Sequence, residues 1–311
     1  MEFSSMKDLI IIGAGPAGLA ASIYGIRAGL DCVVVERYSP GGQVMNTDMV
    51  ENYPGFAEPV GGWELMSRME EQARRLGVEI MNGEIASVDK NPDTGIFQVK
   101  LSDGSAIESR TVIIATGASF RKLGVPGEAE FTGRGVSYCA TCDGAFFKGK
   151  DVVVVGGGDV ALEEAHFLTR FASRVFLVHR RDAFRGAKIL QDRIHADEKI
   201  TPVMDSVIET INGSVKVEGV TLANKKTGDK KNLEAEGVFI FVGYDPNTGF
   251  LPAEILNQAG EVVVDMNMNT QIKGLFAAGD IRSGSKRQIV MAAADGATAA
   301  LEAYNYISSL E

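Results

Sequence analysis

Leu9-Ile10-Ile11-Ile12 runs directly into Gly13-Ala14-Gly15-Pro16-Ala17-Gly18, and apolar residues then recur at helical spacing to about Ala28, where Gly29 stops the helix. That order predicts a strand, a tight glycine turn and a helix. A second apolar run, Cys32 to Val35, ends in Glu36, twenty-three residues after Gly13. Together these form a βαβ unit in which glycines let the backbone approach a diphosphate. The terminal acid stands at the distance from which it reaches a ribose hydroxyl.

The same unit is written a second time. Val152 to Val155 is a β-branched run, Gly156-Gly157-Gly158-Asp159-Val160-Ala161 follows, and a helical stretch to about Phe171 leads to a further strand at Val175 to Val178. Twenty-three residues after Gly156 stands His179 instead of an acid, with Arg180, Arg181 and Arg185 beside it. Arginines grip a 2′-phosphate where a carboxylate would repel it, so the second site favours NADPH over NADH. One such fingerprint arises by chance, and glycines alone can be turns or helix stops. A repeated fingerprint, each time after an apolar run and with its second strand at the same distance, is not explained by turns.

The remaining composition narrows the classes. The chain has 311 residues, 45% hydrophobic and 23% charged, which is globular and long enough for about two domains. Its formal charge of −10 offers nothing to a phosphate backbone or an anionic lipid surface, so nucleic acid and membrane are poor partners. Thirty-six glycines gather in short clusters behind apolar runs, the look of an α/β nucleotide-binding protein. No apolar run approaches the ~18 residues that span a bilayer. The start MEFSSM lacks the basic and apolar regions of a secretory signal, which predicts a cytoplasmic protein.

The order of elements also predicts an interrupted domain. Val112 to Ala115, ending in Thr116-Gly117, reads as a further strand of the first nucleotide domain, and the chain crosses out of it near Ala118 to Gly124. Phe239 to Val242 followed by Gly243-Tyr244-Asp245-Pro246-Asn247 reads as a strand, a turn and the return. Leu275 to Ala278 then leads into Gly279-Asp280, and an apolar helix from about Arg287 to Ile307 aims its start at a ligand. The expected domains are therefore residues 1–118, 119–245 and 246–311, the first and third forming one body.

Cys139-Ala140-Thr141-Cys142-Asp143 carries the chemistry. Two cysteines at this spacing close a disulfide within one turn, and the adjacent acid can exchange a proton as thiol and thiolate interconvert. Hydride from a nicotinamide carries two electrons, the number that reduces one disulfide, and a flavin is the usual relay. A zinc site would need two more soft ligands, and Cys32 and the three histidines form no second pair, so no metal is expected. His166 reads as a helix-face residue, His195 as solvated, Cys32 as a buried small hydrophobe and Trp63 as a core anchor.

In order along the chain, these motifs resemble the low-molecular-weight, bacterial-type thioredoxin reductases. The resemblance covers essentially the whole length. It is carried by Gly13 to Gly18, by Gly41-Gly42-Gln43 with Glu51-Asn52-Tyr53-Pro54-Gly55, and by Ala115-Thr116-Gly117-Ala118. It continues through Cys139 to Gly144, Gly156 to Asp159 with Glu163-Glu164, His179 to Arg181 with Arg185, and Gly279-Asp280 with Arg287-Gln288. It implies two Rossmann-like nucleotide-binding domains, a discontinuous FAD domain with an NADPH domain inserted. FAD contacts would come from Gly13, Gly15, Pro16, Ala17, Glu36, Gly41, Gly42, Gln43, Asn52, Thr116, Gly117, Gly279, Asp280, Arg287 and Gln288. NADPH contacts would come from Gly156, Gly157, Gly158, Asp159, Glu163, His179, Arg180, Arg181 and Arg185.

The resemblance also implies a homodimer that reduces the disulfide of thioredoxin, with Cys142 facing the flavin and Asp143 protonating the outgoing thiolate. The two domains would change orientation about the crossovers so that nicotinamide and cysteines take turns at one flavin. Asp159 stands where the family also uses Asn, which puts a carboxylate near the cofactor's phosphates, and Lys273 stands where Pro is frequent. Rival readings are a dithiol oxidase or peroxidase-linked reductase on the same fold, a reductase with a donor other than NADPH, and a non-catalytic FAD-binding redox sensor.

Overall fold

The computed structural model describes residues 6–47 and 49–310; of the MEFSSM start, all but Met6 lies outside the described residues. The chain divides into two compact units, Met1–Ser119 with Asp245–Glu311, and Phe120–Tyr244.

In the first unit, β1 (Lys7–Ile12) leads through the glycine turn into α1 (Pro16–Arg27) and β2 (Cys32–Glu36). After α2 (Gly62–Arg75) and β3 (Glu79–Asn82) come the strands β4 (Ile85–Lys90), β5 (Phe97–Leu101) and β6 (Ala106–Ile114). β1, β2, β3 and the second half of β6 are parallel in the order β3-β2-β1-β6, while β4 and β5 extend the sheet antiparallel from the first half of β6. The apolar run of β1 is continuous because both faces are covered. Leu9 and Ile11 pack in one cluster with α1 residues, and Ile10 and Ile12 pack in another with Val99 and Ile107 of the antiparallel strands.

The chain leaves through β7 (Ala118–Phe120). The second unit opens with β8 (Val136–Ser137), the short helix α3 (Ala140–Asp143), and β9 (Asp151–Gly156), α4 (Asp159–Leu168) and β10 (Arg174–Val178). After α5 (Lys188–Ala196) and β11 (Ile200–Val203), the three strands β12 (Ser206–Gly213), β13 (Val217–Asn224) and β14 (Lys230–Glu234) form a separate antiparallel sheet. β15 (Gly237–Phe241) returns to the main sheet, whose parallel order is β11-β10-β9-β15-β8. The connection back runs through β16 (Tyr244–Pro246), which pairs with β7.

β17 (Leu275–Ala277) then joins the end of β6 in the first sheet, and α6 (Ile289–Ser308) packs in the same cluster as α1. The sequence reading is corrected at Trp63. It is not a core anchor but 65% exposed in the first turn of α2, whose buried stripe is Leu65, Met66, Met69 and Ala73. The two glycines before Trp63 start the helix, and helical spacing then turns its side chain away from the stripe.

Candidate functional site

In the first unit, the ends of β1, β2, β6 and β17 bring four loops to one edge of the sheet, where parallel α/β sheets place ligands. Gly13 has φ +104, and a Cβ there would stand 2.5 Å from the Ala115 carbonyl oxygen of the neighbouring loop. Gly18 is tighter still, because its Cβ would fall 1.8 Å from Gly13 O. Beside Gly15 a Cβ would meet nothing, and no side chain caps the start of α1. The turn is thus packed from below and open above. The open side faces amides at a helix N-terminus, which favour an anion.

Glu36 closes this turn from the end of β2, one carboxylate oxygen accepting from Ala14 N (2.8 Å) and the other from Tyr38 N (2.9 Å). Gly41 N donates to Ala14 O, which brings the Gly41-Gly42-Gln43 loop to the same edge, and Gln43 Nε2 donates to Ala118 O. Thr116 and Gly117 are held by Asn247. Thr116 Oγ1 donates to the Asn247 carbonyl (2.9 Å), Asn247 Nδ2 donates to Thr116 O (2.7 Å), and Asn247 N donates to Gly117 O (3.0 Å). Asn52 donates to Gln288 at 3.1 Å, so two expected contact residues touch across 236 positions of chain.

At the end of β17, Asp280 is half-buried, and desolvation pushes its carboxyl up from the ordinary carboxylate value. The hydrogen bond from Ser285 (2.9 Å) and the charge of Arg287 act against that rise. Gly279-Asp280 is fixed by a pair that the sequence reading missed. Arg282 grips Asp295 at 2.6 and 2.9 Å, and the same carboxylate accepts from Gly279 N (3.2 Å). Asp295 is an acid within an apolar helix, and that misplacement is the signal that marks it. Pro16 and Ala17 open α1, while Arg287, with φ +53, and Gln288 lie just before α6.

The second unit repeats the plan with different contacts. Gly157 cannot carry a Cβ, because the atom would land 2.2 Å from the His179 ring. Nothing lies near the corresponding point on Gly158, so this turn too is open above α4. His179 is buried beneath the turn, its Nδ1 donating to Gly156 O at 2.9 Å. Burial, with Arg185 and Arg180 nearby, lowers its pKa and keeps it neutral. It therefore braces the turn, while Arg180, Arg181 and Arg185 are exposed.

Asp159 is tied to the arginine loop. Its Oδ1 accepts from Ala187 N at 2.7 Å, and Arg185 N and Gly186 N donate to Gly157 O at 2.7 and 3.2 Å. The carboxylate is engaged as a clamp between turn and loop. Glu163 lies one turn further along α4 and is exposed.

Cys139 and Cys142 form a disulfide with Cα atoms 5.3 Å apart, at the start of α3. Cys139 occupies the N-cap position, and its Sγ accepts from Cys142 N at 3.2 Å. Both cysteines and Asp143 are half-buried. Asp143 N donates to Cys139 O, and Asp143 Oδ2 accepts from Ser137 Oγ at 2.5 Å. Ser137 was not singled out in the sequence. Its only signal there is a short hydroxyl two residues ahead of the first cysteine.

Cys32 is free and buried, and desolvation pushes its thiol up to about 12, which makes it inert packing. His166 is exposed and pairs with Asp197 at 3.3 Å. Among the described residues no cluster of metal-ligating side chains is present, and no helix is long and apolar enough to cross a membrane.

The chain is similar to known proteins along its whole length. Residues 7–296 match the family model described as pyridine nucleotide-disulphide oxidoreductase. The chain is 46% identical to a thioredoxin reductase of Bacillus subtilis over 100% of its length and 98% of that protein's. It is 44% identical to one of Treponema pallidum over 98% of each chain. The crystal structure of thioredoxin reductase from Streptococcus pyogenes is similar with a TM-score of 0.93 and 46% identity, covering 98% of this chain and 99% of that one. The chain belongs to the pyridine nucleotide-disulphide oxidoreductase family, in its low-molecular-weight thioredoxin reductase branch.

Proposed function

We propose that the protein is an NADPH-dependent thioredoxin reductase, with FAD bound by the first unit and NADPH by the second. The observation that carries this reading is the Cys139–Cys142 disulfide beside Asp143 in a chain that also holds two open glycine turns. The full-length similarity to proteins named thioredoxin reductase supports the acceptor. The open faces over Gly15 and Gly158, at the starts of α1 and α4, fit the diphosphates of two dinucleotides.

Bound flavin would supply a two-electron relay between nicotinamide and disulfide. The chain's own residues do the rest. Glu36 and Asp280 stand at the strand ends where a ribose and a ribityl chain would lie, and Arg180, Arg181 and Arg185 offer bidentate donors to a 2′-phosphate. The Cys139–Cys142 bond accepts two electrons and two protons to become two thiols, and Asp143 exchanges one of those protons at its carboxylate. The dithiol then passes both electrons to the disulfide of thioredoxin by exchange through a mixed disulfide, which re-forms Cys139–Cys142.

The protein would act as a cytoplasmic homodimer. Cys142→Ser tests the relay. It should keep the flavin and lower NADPH-dependent thioredoxin reduction by at least ~10³-fold, because the exchange needs both sulfurs. Full activity in that variant would contradict the mechanism.

A further inference from the structure

Ser137 ends β8, two residues before Cys139, and is 5% exposed. Its Oγ lies 2.5 Å from Asp143 Oδ2, 3.1 Å from Cys139 N and 3.3 Å from Cys139 O. A hydroxyl has one proton and two lone pairs, so these three neighbours constrain it. While Asp143 is ionised, Cys139 N–H donates to Oγ and the hydroxyl donates to Oδ2. The 2.5 Å separation is that of a charge-assisted O–H···O⁻ bond.

When Asp143 is protonated, the carboxyl can donate to Oγ instead. The hydroxyl proton then turns to the Cys139 carbonyl, and the Cys139 amide keeps its acceptor. Each polar group in the cluster has a partner in both states, and only a hydroxyl rotation separates them. Leaving one of them buried and unmatched would carry the full desolvation penalty of that group.

We propose that Ser137 is a positioning residue for Asp143, serving the carboxyl in both protonation states and fixing it against the first turn of α3. The inference rests on the reading of Asp143 as the group that exchanges a proton with the cysteine pair. Ser137 takes up and releases no net proton. The proton that Asp143 gives to an outgoing thiolate, and recovers when the disulfide re-forms, passes through the carboxyl alone.

Four variants test it: Ser137→Ala, Ser137→Thr, Asp143→Asn and the double variant Ser137→Ala/Asp143→Asn. Each is assayed as the flavin-loaded full chain for kcat and KM with thioredoxin, with flavin content and unfolding temperature recorded. Ser137→Ala should lower kcat about tenfold, the worth of a hydrogen bond to a charged group, with KM unchanged because the side chain is buried. Ser137→Thr keeps the hydroxyl and should recover most of that loss. In the Asp143→Asn background, adding Ser137→Ala should change kcat by less than about twofold, since a residue acting through Asp143 has nothing left to act on.

Wild-type kcat in Ser137→Ala, with Asp143→Asn impaired, overturns this inference alone. So does an undiminished loss when Ser137→Ala is added to Asp143→Asn, because that is the signature of a purely structural hydroxyl. Undiminished kcat in Asp143→Asn overturns the proton-exchange reading and the inference with it. Should Ser137→Ala fail to hold flavin, Ser137→Gly replaces it in the same comparison.

Discussion

The turns at Gly13–Gly18 and Gly156–Ala161 share one backbone plan and differ in what braces them. Glu36 closes the first with two backbone N–H donors, Ala14 and Tyr38. The neutral ring of His179 closes the second by donating to Gly156 O. An acid at the end of the second strand is the group that the proposed function assigns to one cofactor's ribose. A neutral base in the same place leaves the surface to Arg180, Arg181 and Arg185, the donors that the proposed function assigns to a 2′-phosphate. On the proposed function, the strand–turn–helix frame is what the two sites share, and the residues around the second strand's end are what set them apart.

If the two turns are separate sites, they should fail separately, and that is the largest effect expected. Gly18→Ala forces a Cβ to 1.8 Å from Gly13 O. The protein should lose its flavin and several kcal/mol of stability (~3–5), since backbone cannot yield as a side chain end can. Gly157→Ala drives a Cβ into the His179 ring at 2.2 Å. It should keep its yellow colour and lose reduction by NADPH. A Gly157→Ala protein without flavin would show that the two turns are not independent.

Next in size are the arginines. Arg185→Ala should weaken NADPH binding by about 10- to 100-fold, the loss of a charge-assisted pair to the 2′-phosphate, and leave NADH nearly unaffected. Asp159→Ala removes the acceptor of Ala187 N, which ties the arginine loop to α4. Its effect should be a loss of about fivefold in NADPH affinity, because one ordinary hydrogen bond is worth about 1 kcal/mol. Equal losses for NADPH and NADH in Arg185→Ala would remove the discrimination attributed to this loop. Fluorescence titration with both nucleotides separates the cases.

The frame was legible in sequence because glycines, apolar runs and their distances are local features, and parallel strands covered on both faces must be apolar throughout. What surrounds the frame was not. Asn247 clamps Thr116 from 131 positions away and Gly117 beside it, and the Asp295 carboxylate accepts from both Gly279 N and Arg282, contacts that no spacing encodes. Asp159 reads in sequence as a carboxylate near phosphates, and the bond its Oδ1 accepts from Ala187 N is a further contact that no spacing encodes. Trp63 looked like an anchor because it is large and apolar, yet helical phase leaves it 65% exposed. Ser137 carried almost no signal, since one hydroxyl gains meaning only from the acid and amide folded against it.

The smallest expected effect concerns stability against pH. The folded chain holds His179 with a pKa below its ordinary 6.5, so the unfolded chain binds the proton first as pH falls. Stability from the neutral ring is complete above 6.5 and is lost as pH drops toward the folded value, at up to about 1.4 kcal/mol per pH unit. Urea unfolding between pH 7.5 and about 5 should show this slope in the wild type and a shallower one in His179→Asn. Identical slopes would mean that the ring titrates alike in both states.

Anaerobic titration of the purified protein with NADPH, then with NADH, while following flavin absorbance, with oxidised thioredoxin added at the end, follows the electrons from donor to acceptor. Bleaching by NADPH at far lower concentration than by NADH, with the oxidised spectrum restored by thioredoxin, is the predicted result. A flavin that neither nicotinamide reduces, or one that thioredoxin cannot reoxidise, would contradict it.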